Sequence, residues 1–553
     1  MAKTEELLVK IRREGEEREA QRKAAKASIP YFNATSTPVQ IDALVLIAEP
    51  EARRVKVAPF QFKNKVAAIA VFDPESAETK KFIAGLKAKD IEAKLYAASM
   101  SGLEHVWAGY KFAPKKSVEI TGRVDIETGR FQDLLKKLTD LEKTKKEVLG
   151  FDFKTFNTGQ LLEVLLAGAL ANRASDIHFD AEEKDARIRY RIDGLLHDVV
   201  PELNKEMYPF LVNRVKLLSN LKINVTGQAQ DGRFTIGLGT KEIELRVSVI
   251  PSEFGETIVM RVLDPDSINL KLSDLGLRGD DLVIVEEQLR APNGMILNTG
   301  PTGSGKTTTL YAFLLHKRNP EINIITIEDP IEYHLEDIEQ TQVDDEAGYT
   351  FANGLRSMMR QDPDVILVGE IRDQDTGEIA IQAALTGHLV FSTVHANSAA
   401  AAIPRLLDLK VKPQSIGPAL NLLIAQRLVR RLCKNCKVAA PATPEVKAKV
   451  EKFLKALPKR VDRAQYKDIK MFQPKGCAVC NNIGYKGRVA IFELLEVETE
   501  IEEMLGGNIT EAATQRQALK QGMVTLQQDG VLKVITGLTT FEEVEDAAGA
   551  IEW

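Results

Sequence analysis

Cysteine is scarce in this chain. There are four in 553 residues, and all fall in two CxxC pairs, Cys433 with Cys436 and Cys477 with Cys480. A disulfide framework is out of place in a large chain with no secretory leader, and the opening MAKTEELLVKIRREGEEREAQRKAAK is charged throughout and lacks an apolar h-region. The expected location is therefore cytoplasmic. Long apolar runs are missing too. Stretches such as VAAIAVF, Val66 to Phe72, fall far short of the roughly 20 residues a membrane span needs, so any membrane association is expected to be peripheral and to go through partners. Neither sign of charge dominates: 74 basic against 79 acidic residues leave a net charge of -5, which gives no global bias toward nucleic acid or an anionic surface. With only two tryptophans and no arginine-rich stripe, the basic, aromatic-lined channel of a nucleic-acid motor is not in evidence. No repeat and no low-complexity tract is present.

What is present is ample apolar material, 44% of the residues, and a length that suits roughly three or four domains. Strand-like and helix-like stretches alternate nearly throughout, which points to an α/β class with largely parallel sheet at its core. Residues 1–28 read as a charged helix, exposed or mobile. Residues 29–115 read as a small N-terminal α/β domain, with VAAIAVF and IEAKLYAA as strands around the helix SAETKKFIAGLKAKD. Residues 116–152 read as a linker helix: FQDLLKKLTDLEKTKKEVLG has apolar residues at helical spacing among many charges, which suits a solvated connector or one that docks on a neighbouring subunit. A second α/β domain spans 153–268, opening with the helix GQLLEVLLAGALANRA and continuing with the alternating ARIRYRIDG and KEIELRVSVIP. The third, 269–553, holds a cysteine-bearing insertion at 431–490 and ends in helices.

The chemistry concentrates in the third domain. Gly300-Pro301-Thr302-Gly303-Ser304-Gly305-Lys306-Thr307 matches G-x-x-x-x-G-K-[ST], preceded by the strand-like MILNT and followed by the helical TTTLYAFLLHKR. Glycines let backbone N–H groups turn inward around phosphates, and a helix N-terminus, here including Thr308, adds partial positive charge. Lys306 is expected on the β/γ-phosphates of ATP and the Thr307 hydroxyl on Mg²⁺. Three apolar stretches follow, each ending in polar groups: INIITIEDPIEY, running into Glu328, Asp329 and Glu332; DVILVGEIRD, ending at Glu370; and GHLVFSTVHANS, ending in Thr393 and His395. Ligands bind beyond the carboxyl ends of strands in open parallel sheets, so these ends are expected to converge. Glu370 suits Mg²⁺, directly or through water. Glu332 and Glu328 are candidates to orient or deprotonate the attacking water, and His395 and Thr393 are candidates to sense the γ-phosphate.

These residues together resemble the secretion ATPase family that powers type II secretion and type IV pilus assembly. GPTGSGKTTTLY is similar to its Walker A, TIEDPIEY to its aspartate box, LRSMMRQDPDVILVGEIRDQDT to its Walker B region with Glu370 as the acid, and LTGHLVFSTVHANSA to its histidine box with His388 and His395. SDIHFD, RIRYRIDG, QDGRF and ELRVSVIPSEFGETIVMRVL resemble the family's second N-terminal domain, and GYKGRVAIFELL and GMVTLQQDGVLKVITGLTTFEEV its C-terminal portion. The match runs nearly continuously from Phe153 to Val544. The resemblance implies a RecA-like P-loop ATPase core preceded by a PAS-like α/β domain, and a homohexamer with nucleotide sites at subunit interfaces. Arg233, Arg246 and Arg261 occupy the matching arginine stretches, with Arg246 and Arg261 favoured to act in trans as arginine fingers. It also implies an inner-membrane platform protein as partner and pilus or pseudopilus assembly as the work done. The small N-terminal domain of some relatives binds a cyclic dinucleotide; that motif is not found here.

The two CxxC pairs are separated by about 40 residues. Four thiolates supply a closed, structural tetrahedral Zn²⁺ site, and assembly-type and type II members carry a similar tetracysteine insertion. Two other classes compete with a pilus motor: a RecA-like nucleic-acid motor, expected to be stimulated by DNA, and a nucleotide-binding regulator without turnover, against which Lys306, Thr307, Glu332 and Glu370 weigh.

Overall fold

The computed structural model describes the chain apart from residues 1, 35–36, 38, 48, 64–65, 88–90, 108–109, 111–122, 125–127, 152–157, 239–240, 268–269 and 508. It divides into two compact units, Met1–Thr121 and Gly122–Trp553. The boundaries expected at 115/116, 152/153 and 268/269 lie outside the described residues.

In the first unit, strands β1 (Val57–Lys63), β2 (Val66–Val71) and β3 (Glu92–Ala97) form one sheet in that order, β1–β2 antiparallel and β2–β3 parallel. The helix Ala77–Lys87 makes the crossover that a parallel pair needs. Every residue of β2 after Val66 is buried, and Phe32, Leu44, Leu103 and Trp107 complete the core. The charged opening segment is the helix Ala2–Ala27. It is not a free arm: Ala20 and Ala24 are buried, and the Glu17 carboxylate accepts from Ser99 Oγ at 2.9 Å and from the Tyr31 hydroxyl. Small residues on one face let this otherwise hydrophilic helix lie against its own unit.

The second unit contains two seven-stranded sheets. The first has the order β4-β8-β9-β10-β5-β6-β7, from β4 (Arg123–Val124), β5 (Asp176–Ala181), β6 (Asp185–Ile192), β7 (Leu195–Asn204), β8 (Gln230–Leu238), β9 (Lys241–Ser252) and β10 (Gly255–Leu263). It is antiparallel except for the short β4–β8 pair, so the largely parallel character expected of the chain's core does not extend to this sheet. The cause is local. Asp193 and Gly194 take φ of 50° and 93° between β6 and β7, the two-residue turn with positive φ at both positions that closes a hairpin. β6 then alternates buried and half-buried residues along its length, as a sheet with one covered face does.

That face is covered by helices Thr158–Ala171 and Tyr208–Leu218, and by two more helices where a single solvated linker was expected. The linker breaks at Asp140, whose side chain accepts from Lys143 N and caps the second helix, so the elements are Thr128–Lys137 and Leu141–Leu149. Phe131, Leu138 and Val148 are fully buried against Leu161 and Leu165, each such side chain contributing about 1.5–3 kcal/mol. The apolar stripe of the segment is thus spent within its own chain.

The second sheet has the order β13-β12-β14-β15-β11-β16-β19, from β11 (Gly294–Thr299), β12 (Ile324–Glu328), β13 (Glu339–Gln342), β14 (Val365–Val368), β15 (Leu389–Val394), β16 (Leu420–Leu432) and β19 (Tyr485–Glu496), with a small antiparallel pair of β17 (Val438–Ala439) and β18 (Phe472–Gln473) between the last two in sequence. All pairs are parallel except β16–β19. β11, β12, β14 and β15 are buried along their whole length, the pattern of strands with both faces covered. Parallel pairing sends their carboxyl ends to the same edge. Among the described residues no helix is long and apolar enough to cross a membrane.

Candidate nucleotide site and metal knuckle

The loop after β11 is shaped by its glycines. Gly300 and Gly305 have φ of 149° and 90°, and a Cβ on them would sit 2.6 Å from Gln426 O and 2.8 Å from Gln426 Nε2. Only glycine fits between the loop and β16. Gln426 itself is buried and ties three elements together, its Oε1 accepting from Asn298 Nδ2 at 3.1 Å and from Thr309 Oγ1 at 2.9 Å.

Gly305 starts the helix Lys306–Lys317. The Lys306 ammonium folds back to donate to Gly300 O at 2.9 Å and Pro301 O at 3.1 Å. Burial pulls it below the usual lysine range, against Glu370 and with the help of Arg427. Pro301, Thr302 and Gly303 are exposed at the crest, Thr307 is exposed on the first turn, and Thr308 is half-buried. Ser304 Oγ is buried with no hydrogen-bond partner. A cradle that leaves one hydroxyl orphaned and a lysine on mere carbonyls is chemically suited to phosphate oxygens.

The other strand ends join it. Glu370, just past β14, accepts from Arg372 Nη2 through one oxygen and lies 3.5 Å from His395 Nε2 through the other. Arg372 Nη1 also donates to Asp329 Oδ2 at 3.2 Å, linking the ends of β12 and β14. Asp373, the next residue, caps the helix Gln374–Leu385 by accepting from Thr376 N.

Two candidates are buried and hydrogen-bonded within the fold. Glu328 is 3% exposed, and its oxygens accept from the Tyr311 hydroxyl, Thr326 Oγ1 at 2.7 Å and Gln340 Nε2 at 3.1 Å. Burial raises its pKa against those three bonds. A carboxylate so enclosed braces β12 instead of meeting water. Thr393 is buried and donates to Gly369 O at 2.8 Å, which fixes β15 to the turn after β14. His388, at the start of β15, lies at the opposite end of that strand from His395, its Nδ1 2.9 Å from Ala383 O.

Glu332 is half-exposed and pairs with Arg246 of the same chain: Arg246 Nη1 lies 3.1 Å from Glu332 Oε2, and its Nη2 donates to Ile331 O. Arg246 sits on β9, opposite Arg233 on β8 and Arg261 on β10. Arg261 Nε is 3.2 Å from Asp176 Oδ1, and Arg233 is exposed. The three arginines line a cavity of about 500 Å³ together with Pro330 and Gln342. Within one chain, then, Arg246 is the arginine of the three that pairs with Glu332. Sequence reasoning missed Arg372, Arg427 and Gln426. Gln426 had a signal, as an amide directly after the apolar run LLIA.

The cysteines meet because β16 and β19 pair antiparallel up to Leu432 and Tyr485, which brings the residues just after one strand beside those just before the other. The four sulfurs lie within 4.8 Å of one another, with Cys433–Cys477 at 4.0 Å and both Cys436–Cys480 and Cys477–Cys480 at 3.7 Å. Four thiolates at about 2.3 Å from one ion define edges of about 3.8 Å, whereas a disulfide needs about 2.05 Å. Backbone N–H groups of Cys477 and Gly484 point at Cys480 Sγ, each at 3.2 Å, as donors to a metal-bound thiolate do. The set fits a metal ion.

The chain is similar to known proteins over most of its length. A family model described as Type II/IV secretion system protein matches residues 156–546. The chain is 36% identical over 525 residues to the type IV pilus assembly ATPase PilB of Myxococcus xanthus, covering 93% of this chain and 88% of that one. It is 43% identical over 391 residues to the putative type II secretion system protein E of Escherichia coli K12, covering 71% and 77%. Among solved structures, the Legionella pneumophila ATPase DotB superposes with a TM-score of 0.52 at 21% identity, over 72% of this chain and 97% of that one, a likeness of fold.

Proposed function

The chain belongs to the type II/IV secretion ATPase family and is an ATPase of the secretion and pilus motor class, and from that premise we propose that it works as a cytoplasmic homohexamer that couples ATP hydrolysis to assembly of a type IV pilus or type II pseudopilus. It docks at the inner face of the cytoplasmic membrane through an inner-membrane platform protein and engages no nucleic acid. In this reading the parallel sheet is a RecA-like core within 269–553, the antiparallel sheet with its helices is the PAS-like domain of 153–268, and the knuckle at 431–490 holds Zn²⁺ as a structural ion.

The observation that carries the reading is the meeting of Lys306, Glu370 and His395 at one edge of the parallel sheet, beside the orphaned Ser304 hydroxyl. Thr307 and Glu370 would hold Mg²⁺, which supplies positive charge to the phosphates. Lys306 exchanges its loop carbonyls for β/γ-phosphate oxygens. Glu332 orients the attacking water and accepts its proton. Arg246, already on Glu332, and Arg261 across the cavity stabilise charge that develops on the transferred phosphoryl group. His395, on Glu370, reports the γ-phosphate.

Steady-state ATPase assays of Glu332→Gln and Lys306→Ala test this. Each is expected to lose about 100-fold or more in kcat or kcat/KM; a variant as fast as wild type removes that residue from the mechanism. Single-stranded DNA is expected to leave the rate unchanged.

A further inference from the structure

The loop that follows β15 carries His395 and is held from two sides. From β11, Thr299 Oγ1 both donates to Ala396 O at 2.7 Å and accepts from Ala396 N at 2.9 Å. From β16, Arg427 spans two carbonyls with one planar fork, Nη1 to Gln426 O at 3.0 Å and Nη2 to Asn397 O at 2.8 Å. Gln426 is the residue packed beneath Gly300 and Gly305. A Cβ on Gly300 would lie 3.1 Å from Arg427 Nη1, so the guanidinium stands directly beside the start of the phosphate loop.

We propose that Arg427 is a positioning residue that clamps the His395 loop to the phosphate loop, so that His395 meets the γ-phosphate in register with Lys306. Two features favour a clamp over a surface charge. The side chain is half-buried and makes its bonds with backbone carbonyls on two different elements. Its fork is also the one cationic shape that spans two acceptors at fixed separation; a lysine ammonium on a flexible stem does not. Burial holds the guanidinium below its usual range, with Glu493 as a weak counterweight, consistent with a group kept for its geometry. The loop is also tied to a C-terminal helix through one carboxylate on β19: Ala399 N donates to Glu493 Oε1, and Leu526 N to Glu493 Oε2.

This proposal rests on the reading of His395 as phosphate sensor. The test is a kinetic double-mutant cycle on the full chain with His395→Ala, Arg427→Ala and the pair, plus Arg427→Lys, all checked by thermal melting. Arg427→Ala is expected to lower kcat roughly 10- to 100-fold with KM for ATP within about twofold of wild type. The pair is expected to be no slower than His395→Ala alone, because the two residues act as a unit, and Arg427→Lys is expected to behave as Arg427→Ala. Three results overturn the clamp: losses that multiply in the pair, a rise in KM with kcat kept, or rescue by lysine, which would make Arg427 a charge on the phosphates. If His395→Ala alone leaves turnover intact, it is the sensor reading that fails. Should Arg427→Ala not fold, Arg427→Lys carries the same cycle.

Discussion

Two clusters of charge in the second unit look alike in composition and differ in everything else. Beneath the C-terminal helices, Arg278, Arg460 and Lys533 face Asp280, Asp281 and Asp529. Arg278 reaches Asp529 at 2.9 Å and Asp281 at 2.7 Å, Arg460 reaches Asp280 at 2.6 Å and Asp281 at 2.8 Å, and Lys533 pairs with Asp529. Three cations balance three carboxylates, and Asp529, Asp281 and Arg278 are almost without solvent. At the edge of the parallel sheet, by contrast, Lys306 is parked on carbonyls, the Arg427 fork rests on carbonyls, Ser304 Oγ has no partner, and Thr307 and His395 stand exposed. This neutral cluster leaves only buried atoms without hydrogen-bond partners, Asp281 Oδ2 and Arg460 Nη2, out of reach of a solvent-borne ligand, and it specifies how helices pack. A cluster left open and incompletely paired is where a charged substrate completes the set. Charge content alone does not separate scaffold from site, but solvent access to the charged and polar groups does.

The contrast breaks hardest at Asp529. Its oxygens serve Arg278, Lys533 and Phe492 N at once, so Asp529→Ala strands two buried cations and is expected to cost about 3–5 kcal/mol. Trp553 packs on Phe541 beside these helices, and its fluorescence in a Trp107→Phe background reads their urea transition. The pH dependence has a definite sign. Burial pushes Asp529 up, but Lys533 and Arg278 overcome it and hold the carboxyl below its ordinary range. A depressed carboxylate contributes stability above its unfolded pKa of about 4, and that stability is lost as the pH falls below it. The same transition in wild type is therefore expected to weaken below about pH 4, and Asp529→Asn is expected to remove that acid limb.

At the arginine-lined cavity the expected loss falls on turnover and not on folding. Arg246→Ala breaks a half-exposed pair with Glu332, worth at most about 1 kcal/mol in stability, yet is expected to slow hydrolysis by about 100-fold or more. An equal fall in melting temperature for Arg246→Ala and Asp529→Ala would erase the distinction drawn between buried and solvent-accessible charge.

How much of this was legible follows from the range of each signal. The phosphate loop and the ends of β12, β14 and β15 were readable because apolar runs and the motif are contiguous in sequence. The split of the linker at Asp140 and the hairpin turn at Asp193–Gly194 had local signals of the kind that specify caps and turns. Two things were not readable. Arg246 meets Glu332 across 86 positions, a matter of how two sheets lie together. The two acids Glu328 and Glu332, four residues apart, differ only in that one faces Tyr311 and the interior while the other faces Arg246. Assay of the two side by side sharpens this: Glu328→Gln is expected to cost less than about tenfold in kcat and about 1–3 kcal/mol in stability, Glu332→Gln the reverse pattern.

The smallest effect is expected where the metal knuckle meets the antiparallel half of the unit. Asn481 follows Cys480 directly and takes a left-handed backbone with φ of 51°. That conformation turns its amide outward, so that Oδ1 accepts from Leu141 N at 2.9 Å and Nδ2 donates to Asn172 Oδ1 at 3.3 Å. Asn172 in turn donates to Leu138 O at 3.1 Å, so the knuckle is stitched to the helices that cover the first sheet. The backbone that presents Asn481 is set by the Cys477–Cys480 turn, and removal of the ion by a chelator should free it. Asn481→Ala deletes two hydrogen bonds and is expected to cost about 0.5–1.5 kcal/mol for each. Hydrogen exchange at the Leu141 amide reads this locally: it is expected to speed up in Asn481→Ala, and to speed up likewise when the metal is stripped from wild type. If chelation leaves that amide protected while releasing the ion, the turn holds its shape without metal, and the knuckle is a fixed buttress whose ion serves some other part of the chain.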